Sequence, residues 1–188
     1  DKELTGGEDR YYHLVLLAEN DLGYQNLMKI VSKGFTEGYY YRPRVDFEVL
    51  NQYHEGIIAL SACLAGEVQR YITKGLLHEA KQAALKYEQC FGKGNYFLEL
   101  QDHGIPEQLK VNSALVALSK KLDIGLVATN DVHYLNREDA KSHDVLLCIQ
   151  TGKTLEDQDR MKFETDEFYL KSAEEMASLF PKHPEALK

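Results

Sequence analysis

The stretch "VATNDVHYL" (127–135) decides how this chain is read. An apolar, strand-like run gives way to Asn130, Asp131 and His133 and then to an aromatic. An extended chain points residues i and i+2 to one side, so Asp131 and His133 are expected to project together. That is how two metal ligands leave one strand end. The competing reading is a strand-end turn in which Asn130 and Asp131 cap the next segment and His133 packs with Tyr134.

Working outward, the same texture repeats. "NYFLELQDHG" (95–104) is a strand that finishes in Glu99, Asp102 and His103, and "GIIALSACLAGE" (56–67) is one that turns out through Ser61, Cys63 and Gly66. "YYHLVLLAEN" (11–20) is a further strand with His13 at its beginning, where the other candidates stand at ends. Between them lie helical periodicities. Leu22, Leu27, Ile30 and Val31 recur in the first, and a helix from about Glu67 to Thr73 precedes a longer one from Leu77 to Phe91, closed by Gly92 and Gly94. "PEQLKVNSALVALSKKL" opens with Pro106 at a first helical position and keeps Leu109, Val111, Leu115, Val116 and Leu118 for one face. A helix follows in "REDAKSHDVLLCIQTG".

Strand and helix alternating at this spacing is the signature of βαβ units, and predicts a parallel sheet or barrel with its helices outside. In such folds chemistry gathers where strands end in loops. Cys63 then reads as a thiolate ligand or a small buried hydrophobe, whereas Cys90 and Cys148, on apolar helical faces, belong to the core. Glu99, Asp102 and His103 read equally as supports behind a metal site and as loop caps ahead of a helix. "YYYRPR" (39–44) interleaves tyrosines with Arg42 and Arg44, the mix that stacks bases and contacts phosphates. Its alternative is an exposed loop whose aromatics cover an edge. Asp46 is a plausible N-cap for the short helix that follows.

Composition bounds the function. Of 188 residues 44% are hydrophobic and 28% charged, which indicates a globular chain with a core. No apolar run approaches membrane-spanning length, so a soluble, cytoplasmic protein is expected. The three cysteines are widely spaced without a CxxC pair, so neither a disulfide framework nor a zinc ribbon is suggested. The net charge of -8 argues against wrapping nucleic acid by the overall field, though not against a local basic patch. Beyond Gly152 the texture changes to "KTLEDQDRMKFETDEFYLKSAEEMASLFPKHPEALK", with a short strand candidate in "EFYLKS" and a cap at Ser172 before a small helix that stops ahead of Pro181.

Taken together, "YHLVLLAEN", "GYQNLMKIVS", "GYYYRPRVD", "GIIALSACLAGEV", "FLELQDHG", "VATNDVHYL" and "FETDEFYLKSAEEM", in this order and spacing, closely resemble the amino-terminal region of the bacterial DNA polymerase III alpha subunit family. That region is a polymerase and histidinol phosphatase (PHP) domain. The resemblance implies a distorted seven-stranded (β/α) barrel whose rim binds a cluster of divalent zinc, manganese or magnesium. By motif it carries over His13, Cys63, Asp131 and His133 as metal ligands; Glu99, Asp102 and His103 remain candidates to support them, and Tyr40, Arg42 and Arg44 candidates for nucleic-acid contact, on the residue patterns above. The family's earlier ligands, a His-x-His strand among them, have no counterpart ahead of residue 11. The chain is therefore expected to hold the later part of a barrel lacking its first strands (1–152) and the start of a connection towards a polymerase body (153–188).

The activity implied for the parent is DNA-directed DNA synthesis, with a phosphoesterase or 3'-5' exonuclease site in this domain. Alone the chain is expected to hold an incomplete metal site, to show little activity and to self-associate through its uncovered edge. The partners implied are DNA and replisome subunits, including a proofreading exonuclease. The alternatives are a non-catalytic scaffold that docks such a subunit and, third, a stand-alone phosphatase, against which the polymerase-like "FETDEFYLKSAEEM" argues.

Overall fold

The computed structural model describes residues 11–188. Four short strands, β1 (Val15–Ala18), β2 (Ile57–Leu60), β3 (Tyr96–Leu100) and β4 (Gly125–Ala128), lie side by side in chain order. β2, β3 and β4 are parallel, as the βαβ pattern predicts. β1 is not: it runs antiparallel to β2, with Val15 opposite Leu60 and Ala18 opposite Ile57. The sheet is mixed, which corrects the all-parallel expectation.

The physical reason lies at the far end of β1. The Glu19 N–H donates to Gly56 C=O at 2.9 Å, and a Cβ on Gly23 would stand 1.8 Å from that same oxygen. Asn20 caps α1 (Asp21–Thr36) by accepting from the Gly23 N–H at 2.9 Å. This glycine-to-glycine contact pins the end of β1 against the start of β2. The start of β1 is thereby placed beside the end of β2, and His13 with it.

The core forms between the sheet and its helices. β2 and β3 bury Ile57, Ala59, Tyr96, Leu98 and Leu100, and α4 (Leu77–Phe91) turns Ala80, Ala83 and Ala84 inward, where short side chains let it approach closely. α2 (Phe47–Tyr53) is capped by Asp46, as predicted, and α3 (Glu67–Thr73) and α4 keep the predicted bounds. In α5 (Pro106–Leu122) the inner stripe is Val111, Leu115 and Leu118, at i, i+4 and i+7. Leu109, expected on that face, is exposed, because two residues ahead of Val111 is roughly 200° around the helix. Gln108 occupies the inner position in its place. Truncating Leu98 to alanine would remove about 2–5 kcal/mol of stability at such a site.

Beyond β4 a 3-10 turn (Arg137–Asp139) leads into α6 (Ala140–Thr151), and a long segment returns to α7 (Ala173–Leu179). "EFYLKS" is not a strand. It makes one parallel bridge, Tyr169 to Tyr134, and then enters the Ser172–Glu175 capping box of α7. Phe180 and Ala186 are buried in the main core, so the final residues pack with the sheet. Cys90 and Cys148 are buried, as read from their helical faces.

Candidate functional site

His13 is the residue whose place the antiparallel β1 decides. Its N–H donates to Ala65 C=O at 3.1 Å, and its Nδ1 lies 3.6 Å from the Cys63 Sγ. The loop after β2 turns tightly to make this possible: Ala62 adopts a left-handed φ of 63°, and Gly66 packs where a Cβ would meet Ser61 O at 2.1 Å. Burial holds the Cys63 thiol above its ordinary pKa; an Ala65 backbone hydrogen bond opposes this, and the Asp131 and Glu99 carboxylates add to it. In the absence of a cation Cys63 is therefore a neutral thiol, and binding a metal there has to displace a proton.

Asp131 and His133 also meet, with His133 Nε2 3.5 Å from Asp131 Oδ1. The route differs from the predicted one. β4 ends at Ala128, and Asp131 has a left-handed φ of 42°, so a turn rather than strand alternation brings the two together. The turn is held from outside. Asn130 Nδ2 donates to Glu167 O at 2.9 Å and to Tyr169 O at 2.7 Å, and the His133 N–H donates to Phe168 O at 2.9 Å. Phe163 and Phe168 set their rings against the imidazole at centroid distances of 4.7 and 5.7 Å, and His143 of α6 stands at 5.4 Å. Burial, then the neighbouring His133, lowers the pKa of His143. Sequence reasoning missed His143, Phe163 and Phe168, since nothing in their local pattern says that residues 163–168 fold back over this turn.

The residues expected behind the donors separate into two kinds. Glu99 is buried at the centre of a network: its carboxylate accepts from the Ala62 N–H at 3.0 Å, from Gln101 Nε2 at 2.9 Å and from the Thr129 hydroxyl. It thus ties the loop that carries Cys63 to the end of β4. His103 is fully buried, its Nε2 2.7 Å from Asn130 O and its Nδ1 2.8 Å from Gln108 Nε2, with its ring stacked on Phe168 at 3.8 Å. Both ring nitrogens are engaged, so His103 positions the Asp131 turn and is not free to bind a ligand. Asp102 accepts from the Gly104 N–H at 3.0 Å, the loop-cap reading.

The Tyr40–Arg44 turn lies near His13. The Arg42 guanidinium stands 5.9 Å from the ring of Tyr11, which stacks on His13 at 6.3 Å, and Arg44 lies 5.0 Å over Tyr40.

The chemistry of these donors, sulfur with imidazole and carboxylate with imidazole, suits a borderline metal such as zinc. Their number falls short. Among the described residues no three His, Cys, Asp or Glu side chains converge where a metal ion could be held, whereas a catalytic zinc site has three protein ligands and an open position. The described residues supply two donor pairs, each short of the ligand set that a metal ion needs.

Comparison with known proteins gives this geometry its context. The PHP domain family matches residues 2–103, more than half of the chain. The chain belongs to the PHP domain family. Its curated relatives include DNA polymerase III subunit alpha of Treponema pallidum, 54% identical over 94% of this chain and 15% of the relative. The same subunit of Deinococcus radiodurans is 51% identical over 93% and 13%, and that of Thermus aquaticus 45% over 96% and 14%. This PHP chain thus spans about one seventh of the length of the relatives it matches. Among its described residues no helix is long and apolar enough to cross a membrane.

Proposed function

We propose that the chain is the PHP portion of a bacterial replicative DNA polymerase and carries half of a metal-dependent phosphoesterase site, with 3'-5' exonuclease proofreading as its activity in the full-length parent. The observation that carries this reading is the pairing of His13 with Cys63 and of Asp131 with His133 on loops that Glu99 ties together. Further donors come from outside the described residues and complete a zinc, manganese or magnesium cluster in a seven-stranded barrel. Residues 11–152 belong to the barrel part, residues 1–10 lying outside the described residues, and 153–188 begin the connection to the polymerase body. A metal in such a site activates water and stabilises charge developing on phosphorus. The parent acts on DNA in the cytoplasm with other replisome subunits.

A second reading is a non-catalytic support for the polymerase body that docks a proofreading exonuclease subunit. It is favoured by the packing of Phe163 and Phe168 over His133, which orders this face without any metal. The two readings part in the full-length parent. On the first, Asp131→Asn and His133→Ala abolish metal-dependent nuclease activity and spare polymerisation; undiminished nuclease in both variants overturns it. On the second, the same substitutions lower thermal stability or partner affinity alone.

A further inference from the structure

The Tyr40–Arg44 turn is built to a degree that an edge-covering loop does not require. Its base is clamped where a Cβ on Gly38 would stand 1.8 Å from Arg44 O. The Tyr40 N–H donates to Arg42 C=O at 3.1 Å, closing the chain over Tyr41, whose φ of 60° is left-handed for a bulky aromatic residue. The effect is to lift Tyr41 out: the residue is 76% exposed and its ring meets Tyr40 edge-on at 4.7 Å, while Arg44 packs over Tyr40. Arg42 turns the other way, over Tyr11 and towards His13. It forms no ion pair among the described residues, in a chain with a net charge of -8.

We propose that this turn seats single-stranded DNA, Tyr41 stacking on an unpaired base and Arg42 holding a backbone phosphate on the approach to His13 and Cys63. An exposed ring braced from below offers a π-face to any base, and an unpaired guanidinium one ring away from the donor pair is placed for phosphate rather than for folding. A duplex keeps its bases stacked on one another and has none to give Tyr41. The inference deepens the phosphoesterase reading by naming the form of its substrate.

The test is binding in chelator, so that hydrolysis plays no part and failure of the metal reading leaves the result intact. A fluorescent oligo-dT strand is titrated with the chain at low salt and followed by anisotropy, beside the same strand in duplex. Tyr41→Ala is expected to weaken binding roughly tenfold, Tyr41→Phe to retain it, and Arg42→Ala to flatten the dependence of log affinity on log salt by about 0.7. Tyr24→Ala, at a tyrosine of α1 that is 58% exposed, is the control and changes nothing. Unchanged melting temperatures show that the variants fold. Absence of binding by the parent chain, equal affinity for the duplex, no loss in Tyr41→Ala, or an equal loss in Tyr24→Ala each overturns the proposal.

Discussion

The two donor pairs are alike in chemistry and unlike in surroundings. Asp131 and His133, though each side chain is more than a third exposed, stand on a turn that a returning segment wraps: Asn130 and His133 are bonded to residues 167–169, two phenylalanines face the imidazole, and His103 is stacked on Phe168 beneath. His13 and Cys63 sit on the margin where β1 is the edge strand of the described sheet; both histidines are solvent-exposed, but among the described residues His13 has one aromatic neighbour, Tyr11, beside the Cys63 Sγ. The difference shows how an α/β fold apportions precision. The wrapped pair is positioned by side chains that serve folding as well, and the open pair by backbone geometry.

The largest effect should come from the residue that joins the two halves. Glu99→Ala strands a buried N–H of Ala62 and the donors of Gln101 and Thr129 at once, and is expected to lower unfolding free energy by about 3 kcal/mol in a urea titration. A loss below 1 kcal/mol would mean that the halves are positioned independently, and the comparison would need redrawing around two separate sites.

Next is His103, which serves the wrapped side alone. Its removal as His103→Ala is expected to lower stability by about 2 kcal/mol through the Asn130 and Gln108 bonds and the Phe168 stack. The effect should depend on pH. Burial holds the folded pKa of His103 below its ordinary value of 6.5, so the unfolded chain takes up a proton first as the medium is acidified. The contribution is complete above about pH 6.5 and is lost as pH falls from there towards the lowered folded value. Measured from pH 7.5 to 5.5, the stability of the parent chain should decline more steeply than that of His103→Ala; equal slopes would show that the ring is not held neutral.

Much of this arrangement was legible in the sequence and some was not, for definable reasons. The bounds of α3 and α4, Pro106 at the head of α5, and the caps Asp46 and Ser172 are local signals, set by residues within a turn of one another, and the structure has each of them. Strand alternation predicts the pairing of Asp131 with His133, and a left-handed turn delivers it, so the sequence shows the partner and not the path. The antiparallel β1 depends on Gly23 meeting Gly56, a contact between residues far apart in the chain that leaves no periodic trace. His103 in a polar loop gave no sign of burial either, because its partners Gln108, Asn130 and Phe168 come from three different segments.

The wrap has a clasp of its own. Arg160 bonds both oxygens of Asp144 on α6, at 2.5 and 2.9 Å, and holds that carboxyl below its ordinary pKa. Arg160→Ala is expected to speed amide exchange in residues 153–171 several-fold over the rest of the chain, with a smaller change in global unfolding. Uniform protection in the variant would show that the aromatic contacts suffice to hold the segment.

The smallest effect expected is the one that isolates the open pair. Among the described residues His13→Ala removes a ring that stacks on Tyr11 and meets the Cys63 Sγ, so its change in stability should stay within about 0.5 kcal/mol. His133→Ala removes a ring packed against two phenylalanines and a histidine, and should lower stability by about 1–2 kcal/mol. The two substitutions delete the same side chain from pairs of similar separation, so the gap between them measures the surroundings rather than the residue. Equal losses would place His13 in packing as dense as that of His133 and remove the distinction. A near-silent His13→Ala would leave that imidazole without a structural task in this chain, as a residue kept for binding should be.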